Sequence, residues 1–324
     1  MWFITRAMNV IARSIRNDPH MGAPVASGSG LTLYSRQWTT PQKPQALVFW
    51  FHGYGAHCHR PSDNRLGEQL LQRDIALFAL DQEGYGCSQG ERGLFSNWEL
   101  LVNDAEIFVD QVRERYPEIP FFIMGESLGG ALTILLGLAL QEREIPFFRG
   151  ALFVAPAVEN DVEPSSEVTQ ALLQLAKVFP HWYKGMPHLP PEKVYRTQAG
   201  IDQSNEDTWP KGLAWNRPFR LATASAALAL TTNARERVGE IAYPFATVHG
   251  TADYVIPSSA SNRLMRESIT PTHQKTALFL EGAYHDLLND PAHLDAELFL
   301  WSWLEEQLEK IDNETAVKSK RASS

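Results

Sequence analysis

Phe121-Phe122-Ile123-Met124-Gly125-Glu126-Ser127-Leu128-Gly129-Gly130 is the stretch on which the reading of this chain turns. Four consecutive apolar residues run into a glycine-flanked serine, and a helical apolar run from Ala131 to Leu140 follows. Strand, tight turn and helix in that order make G-x-S-x-G a nucleophile elbow. The glycines are needed because the serine backbone is strained and a side chain beside it would strike the neighbouring strand or helix. The serine oxygen is thereby presented at a helix N-terminus, where free amides and the helix dipole favour a developing negative charge.

Outward from the elbow, short apolar runs alternate with helical patterns, as expected of an α/β protein whose parallel sheet is covered on both faces. Ala46–Phe51, Ile75–Leu80, Pro120–Met124, Ala151–Ala155, Phe245–Val248 and Ala277–Leu280 read as buried strands. Leu31–Trp38 alternates apolar and polar residues and reads as a half-exposed strand. Trp98, Leu101, Ala105, Phe108 and Val112 recur every three or four residues, which predicts a surface helix with its apolar face inward. Asp290 and Pro291 have the character of an N-cap and a first helical residue for a last helix through Leu294, Leu298, Trp301 and Leu308. Residues 158–239 break this rhythm. Val168–Phe179 and Ala222–Leu230 are helical patterns around a Pro- and Trp-rich stretch with no compact strand. The expected organisation is a core of residues 23–157 and 240–310 with a helical cap, 158–239, inserted over the carboxyl edge of the sheet, where ligands bind in such folds.

The chain has 324 residues and a formal charge of −9. That balance argues against nucleic acid as a partner, because phosphate backbones are held by basic stripes. Cys58 and Cys87 are the only cysteines. They are too few for a disulfide framework and lie in no C-x-x-C pair, so a reducing, cytoplasmic setting fits. No apolar run reaches the roughly 20 residues of a spanning helix. Residues 1–22 form a basic amphipathic extension, with Ile4, Met8, Ile11 and Ile15 on one stripe and Arg6, Asn9, Arg13 and Arg16 on another. It is suited either to an anionic membrane surface or organelle address, or to docking on its own domain. Residues 311–324 are expected to be a disordered tail.

Three further motifs follow predicted strands. His52-Gly53-Tyr54-Gly55 supplies a glycine-rich turn whose Tyr54 amide, with that of Leu128, would form an oxyanion hole. His249-Gly250-Thr251-Ala252-Asp253 supplies a carboxylate, and Glu281-Gly282-Ala283-Tyr284-His285 an imidazole. The chain order Ser127, Asp253, His285 is that of an α/β-hydrolase triad. Such chemistry needs no cofactor. His57, Cys58 and His59 are not read as a metal site, since adjacent residues rarely converge on one ion. Asp81 is a rival for the triad acid but is preferred as a turn carboxylate, paired with Arg92. Glu126 is read as a structural group beneath the elbow and Asp286 as solvated. Leu172, Leu175, Ala176 and Phe179 share a helical face that either lines an acyl channel, touches lipid, or forms the interior of the cap; Leu172, Leu175 and Phe179 are the candidate substrate-binding residues.

With these motifs the chain resembles the monoglyceride lipase and lysophospholipase branch of the serine α/β-hydrolases over about Gly30 to Leu308. The stretch Asp81-Gln82-Glu83-Gly84-Tyr85-Gly86-Cys87-Ser88-Gln89-Gly90-Glu91-Arg92-Gly93 is similar to that branch's loop after the second parallel strand, and Glu281–His285 to its histidine segment. The resemblance implies Ser127 as nucleophile, Asp253 as acid, His285 as base and the amides of Tyr54 and Leu128 as oxyanion donors. It implies hydrolysis of hydrophobic esters, monoacylglycerol first, with lysophospholipids or hydroxycinnamoyl esters as alternatives. Animal members usually carry His and Met around the nucleophile where Glu126 and Leu128 stand here; the Glu is closer to plant-like members. A reading of another class is a non-catalytic small-molecule receptor on a hydrolase scaffold, which the intact Ser, Asp and His set disfavours.

Overall fold

A computed structural model describes residues 2–159 and 166–322. In chain order they form α1 (Trp2–Arg16), β1 (Val25–Ala26), β2 (Thr32–Leu33), β3 (Ser35–Trp38), β4 (Ala46–Phe51), α2 (Pro61–Leu71), β5 (Ile75–Leu80), α3 (Trp98–Arg113), β6 (Phe121–Glu126), α4 (Leu128–Glu142) and β7 (Phe148–Val154). After β7 come α5 (Ser166–Val178), α6 (Pro191–Val194), α7 (Gln198–Asp207), α8 (Leu221–Glu236), β8 (Phe245–Gly250), α9 (Ser259–Glu267), β9 (Lys275–Leu280) and α10 (His293–Ala322).

Seven strands lie side by side in the order β3-β5-β4-β6-β7-β8-β9. Only β3 runs antiparallel to its neighbour, Ser35 facing Leu80 and Trp38 facing Leu77; the other pairings are parallel. The mostly parallel α/β sheet expected from the sequence is present. The side-chain period of two divides each strand between two interiors. Leu47, Phe49 and Phe51 of β4 join Phe121 and Ile123 of β6 in an interior closed by α3, α4, α8 and α9. Val48 and Trp50 join Phe122 and Met124 in the opposite one, closed by α2 and α10. Phe49 packs edge-on against both Phe108 and Phe121, at 5.7 and 5.8 Å between ring centres.

Three boundaries differ from the sequence reading. The run Leu31–Trp38 is split at Tyr34, whose N–H donates to the Ser88 hydroxyl at 2.8 Å instead of continuing a ladder. The last helix begins at His293, and the Asp290 carboxylate accepts from the Ala292 N–H at 2.9 Å just ahead of it. Residues 311–322, expected to be part of a disordered tail, continue α10 to Ala322. Leu308 and Ile311 still pack against the α2–α10 interior, which carries the helix past the point where the sequence turns polar. Val10, Ile11 and Ile15 of α1 pack on that same interior, and Asp18 just beyond α1 accepts from Arg36 and from the Tyr34 hydroxyl at 2.7 Å. The side chains of Ile4, Met8 and Arg6 lie outside the described residues. Among those described, no helix is long and apolar enough to cross a membrane.

The segment expected as a cap holds α5 to α8, with no strand among its described residues. It is stitched to the sheet's carboxyl edge: the Trp215 N–H donates to the Gly55 carbonyl at 2.7 Å, the Asp286 N–H to Val194 at 3.1 Å, and Thr223 Oγ1 to Gly93 at 2.9 Å. Phe49→Ala would empty the centre of the larger interior. It is expected to lower the unfolding free energy by about 3–5 kcal/mol in urea titrations, with the slope unchanged.

Candidate active site

Ser127 stands between β6 and α4 with φ +54° and ψ −120°, a left-handed backbone that a non-glycine residue adopts only when its surroundings enforce it. The enforcement is close packing. A Cβ on Gly125 would overlap the Gly129 carbonyl and the Thr133 hydroxyl, and one on Gly129 would overlap the carbonyls of Phe51 and His52. The Ser127 N–H is held by the Val154 carbonyl at 2.9 Å. Leu128 is the first residue of α4, so its N–H has no intrahelical acceptor. Gly53 brings the turn after β4 against the serine, its Cα too close for a comfortable side chain: a Cβ would sit 3.1 Å from the Ser127 Cβ. Among the described residues no protein acceptor takes the N–H of Tyr54, and Tyr54 lines the same cleft as Ser127. His52 braces this turn from below, Nδ1 donating to the Gly53 carbonyl at 2.8 Å and Nε2 accepting from the Gln82 N–H at 3.2 Å. Burial pushes the His52 ring down to about 4, so it stays neutral.

The three residues separated along the chain meet. His285 Nε2 lies 2.9 Å from Ser127 Oγ and His285 Nδ1 2.7 Å from Asp253 Oδ2. The other Asp253 oxygen accepts from the N–H groups of Val255 and Ile256 at 2.8 and 2.9 Å. Burial works against the Asp253 charge, but the His285 ring and hydrogen bonds from His249 and His285 outweigh it and hold the carboxyl below the usual range. Burial likewise disfavours a charged His285. Asp253 overcomes this and, with Glu126 and Asp286, carries the ring above the ordinary imidazole value. A hydroxyl bonded to a base that a carboxylate holds in place can give up its proton and act as a nucleophile.

Around the serine opens a cleft of about 890 Å³, the solvent at its open mouth included. Its walls come from α6, α7 and residues 214–217 of the cap, and they mix apolar and aromatic side chains, Leu189, Val194, Tyr195 and Trp215, with the polar Asp207 and Asn216. Arg60 lies at its floor, where the guanidinium reaches Glu126 at 2.7 Å, Asp63 at 3.3 Å and Asp286 at 3.6 Å. Thus Glu126 is tied beneath the elbow, while Asp286, expected to be solvated, is buried against Arg60 and Asn289. Burial raises the Glu126 carboxyl despite Arg60. His57 Nε2 reaches Asp207 in the cap at 2.7 Å and its Nδ1 accepts from the His59 N–H at 3.0 Å.

Leu175 and Phe179 do not border this cleft. They are 47% and 54% exposed on the outside of the cap, because α5 lies against α8 rather than over Ser127. The Leu172 side chain lies outside the described residues. Asp81 is fully buried, and its two oxygens accept from the N–H groups of Cys58 and Cys87, each at 2.7 Å. Arg92, the partner expected for it, donates instead to the carbonyls of Gly86 and Ser88. Cys58, His59 and Asp81 offer ligand atoms within 4.8 Å of one another, a proximity that adjacent-residue reasoning missed because Asp81 comes from another loop. Burial and Asp81 push the Cys58 thiol well above its ordinary value. Arg60, Tyr195, Asp207 and Asn216 also escaped the sequence reading, the last three lying in the cap where no motif marks them.

Fold and site together define a serine α/β-hydrolase. Residues 42–292 match the Hydrolase_4 family, described as serine aminopeptidase, S33, and the chain belongs to it. It is 30% identical to the monoglyceride lipase of Rattus norvegicus over 277 residues, 85% of this chain and 87% of the relative. It is 28% identical to the caffeoylshikimate esterase of Arabidopsis thaliana over 279 residues, 84% and 81% of the two chains. The crystal structure of the Paleococcus ferrophilus monoacylglycerol lipase is similar, with a TM-score of 0.69 at 26% identity, covering 86% of this chain and 98% of that one. The protein is a carboxylic ester hydrolase.

Because His285 must be neutral to accept the serine proton, activity falls as pH drops through its raised value. The acid limb of kcat/KM is expected above the ordinary imidazole value of about 6.5, read from a pH–rate profile on a soluble ester.

Proposed function

We propose that the enzyme hydrolyses monoacylglycerol to a fatty acid and glycerol, with Ser127 as nucleophile, His285 as general base and Asp253 as its orienting carboxylate. Ser127 attacks the ester carbonyl as His285 takes its proton, and the amides of Tyr54 and Leu128 receive the oxyanion. His285 then protonates the departing alcohol, and water repeats the sequence on the acyl-enzyme. The hydrogen-bonded Ser127–His285–Asp253 chain is the observation that carries the chemistry.

The cleft supports a neutral, hydroxyl-bearing alcohol. Asn216, Gln203 and Tyr195 add polar side chains to the lining; Arg60 is engaged by three carboxylates, and Arg217 donates to the Trp209 carbonyl at 2.8 Å. Carboxylates outnumber guanidinium groups in the lining, Glu126, Asp207 and Asp286 against Arg60 and Arg217, which weighs against an anionic leaving alcohol such as that of a lysophospholipid. Monoglyceride lipases among the relatives point the same way. A second reading, hydroxycinnamoyl ester hydrolysis, is favoured by Glu126 at the elbow and by the similarity to the Arabidopsis enzyme.

Leu175, Val178, Phe179 and Trp182 form an apolar surface on the cap, 47%, 67%, 54% and 55% exposed. We place it against the membrane from which a lipid ester would be drawn, with Lys177 and Lys184 beside it for anionic headgroups.

A panel of monoacylglycerols, lysophospholipids and hydroxycinnamoyl esters of matched concentration tests the substrate: monoacylglycerol is expected to have the highest kcat/KM, and preference for the aromatic esters would transfer the assignment to the second reading. Ser127→Ala is expected to lower turnover by several orders of magnitude; a wild type that reacts once without cycling would instead identify a receptor. Leu175→Ser with Phe179→Ser is expected to reduce co-sedimentation with phosphatidylglycerol-containing vesicles while turnover of a soluble p-nitrophenyl ester is retained.

A further inference from the structure

Behind the acid of the triad stands a second histidine. His249, at the end of β8, is fully buried, and its Nε2 lies 3.1 Å from the Ile256 carbonyl and 3.3 Å from Asp253 Oδ2. A carbonyl only accepts, so Nε2 carries the proton. In the neutral ring Nδ1 is then the acceptor, and Ser261 Oγ of α9 stands 2.8 Å from it. Ser261 Oγ is in turn 2.7 Å from Thr247 Oγ1 on β8. Thr247, Ser261 and His249 are all fully buried, so water does not compete for these bonds. The donors line up in one direction, from Thr247 to Ser261 to His249 and on to the Ile256 carbonyl, and the same Nε2–H lies 3.3 Å from the Asp253 oxygen that also faces His285.

We infer that His249, locked by Ser261, Thr247 and the Ile256 carbonyl, is a positioning residue for ester hydrolysis: the Nε2–H edge of its ring stands 3.3 Å from Asp253 Oδ2 and limits how far the carboxylate can turn. This rests on the assignment of Asp253 and His285 as acid and base. Two backbone amides fix Asp253 Oδ1; among the described residues, His285 bonds Oδ2 and His249 is the other side chain set against it. This contact has two consequences. It limits rotation of the carboxylate, which keeps the imidazole aimed at Ser127. It also draws charge from Oδ2, so that Asp253 stabilises the His285 cation less than a bare carboxylate would. The other charged groups that face the pair are Glu126 on β6, Asp286 after the base and Arg60 before α2, with the Tyr195 hydroxyl following α6. None of them bonds to His249.

The test is His249→Leu against His249→Gln, whose amide retains an N–H donor, with Ser261→Ala as a smaller change that frees the ring. His249→Leu is expected to lower kcat about ten- to a hundred-fold with little change in KM, the range over which an ångström of misplacement acts. The acid limb of kcat/KM should move to higher pH by about half a unit, as Asp253 regains charge. His249→Gln should restore the limb and most of kcat, and Ser261→Ala should shift both in the direction of His249→Leu, reading the same quantities if the leucine variant does not fold. A lowered Tm with kcat and the acid limb unchanged in Ser261→Ala and in whichever His249 variant folds would overturn the proposal and leave His249 a packing residue. Loss of all turnover in Ser127→Ala but unaltered activity in Asp253→Asn would instead overturn the triad assignment beneath it.

Discussion

The strained serine at the β6–α4 turn is the constraint from which the site follows. A residue at φ +54° costs free energy that the surrounding packing must offset. Here the offset comes from a helix set so close to the sheet that Gly125 and Gly129 have no room for a Cβ. That approach points the Ser127 oxygen out of the sheet and leaves the first amide of α4 without a partner beside it. The same closeness makes the largely buried α4 a structural centre, held between the sheet, α3 and α8.

Charge is the second organising quantity. The floor of the cleft sets one guanidinium, Arg60, among three carboxylates, and the imidazole of His285 shares the excess negative field with Asp253. Burying so many acids is costly unless each is paired or hydrogen-bonded. The structure meets this with Asn289 on Asp286, backbone amides on Asp81 and Asp253, and His57 on Asp207. The last of these also ties the turn that carries the Tyr54 amide to the cap.

Much of the core was legible because parallel strands buried on both faces must be continuous apolar runs, and five such runs between Ala46 and Val248 coincide with β4 to β8; the sixth, Ala277–Leu280, expected to be buried, lies in the edge strand β9, where only Leu280 is buried and Phe279 is exposed. Ser127, Asp253 and His285 were legible because each directly follows a strand within a glycine-containing turn. The cap was not. Its helices carry no fixed spacing to the serine, so the apolar stripe of α5 gave no information about which way it would face, and Leu175 and Phe179 turned outward. Asp286 was misjudged as solvated because its partner, Arg60, is contributed by a distant loop. The tail was misjudged because the contacts of Leu308 and Ile311 with the core prolong α10.

Periodicity and turn chemistry are local properties, carried by neighbours a few residues apart, so the sequence by itself determined the strands, the elbow and the order of the reacting groups. What faces what across the cleft was decided only by tertiary structure. Whether a buried acid finds a cation, whether an apolar helix face meets substrate or solvent, and which histidine braces Asp253 all depend on distances between segments far apart in the chain. Those distances are set by the packing of every layer at once and are written in no single stretch.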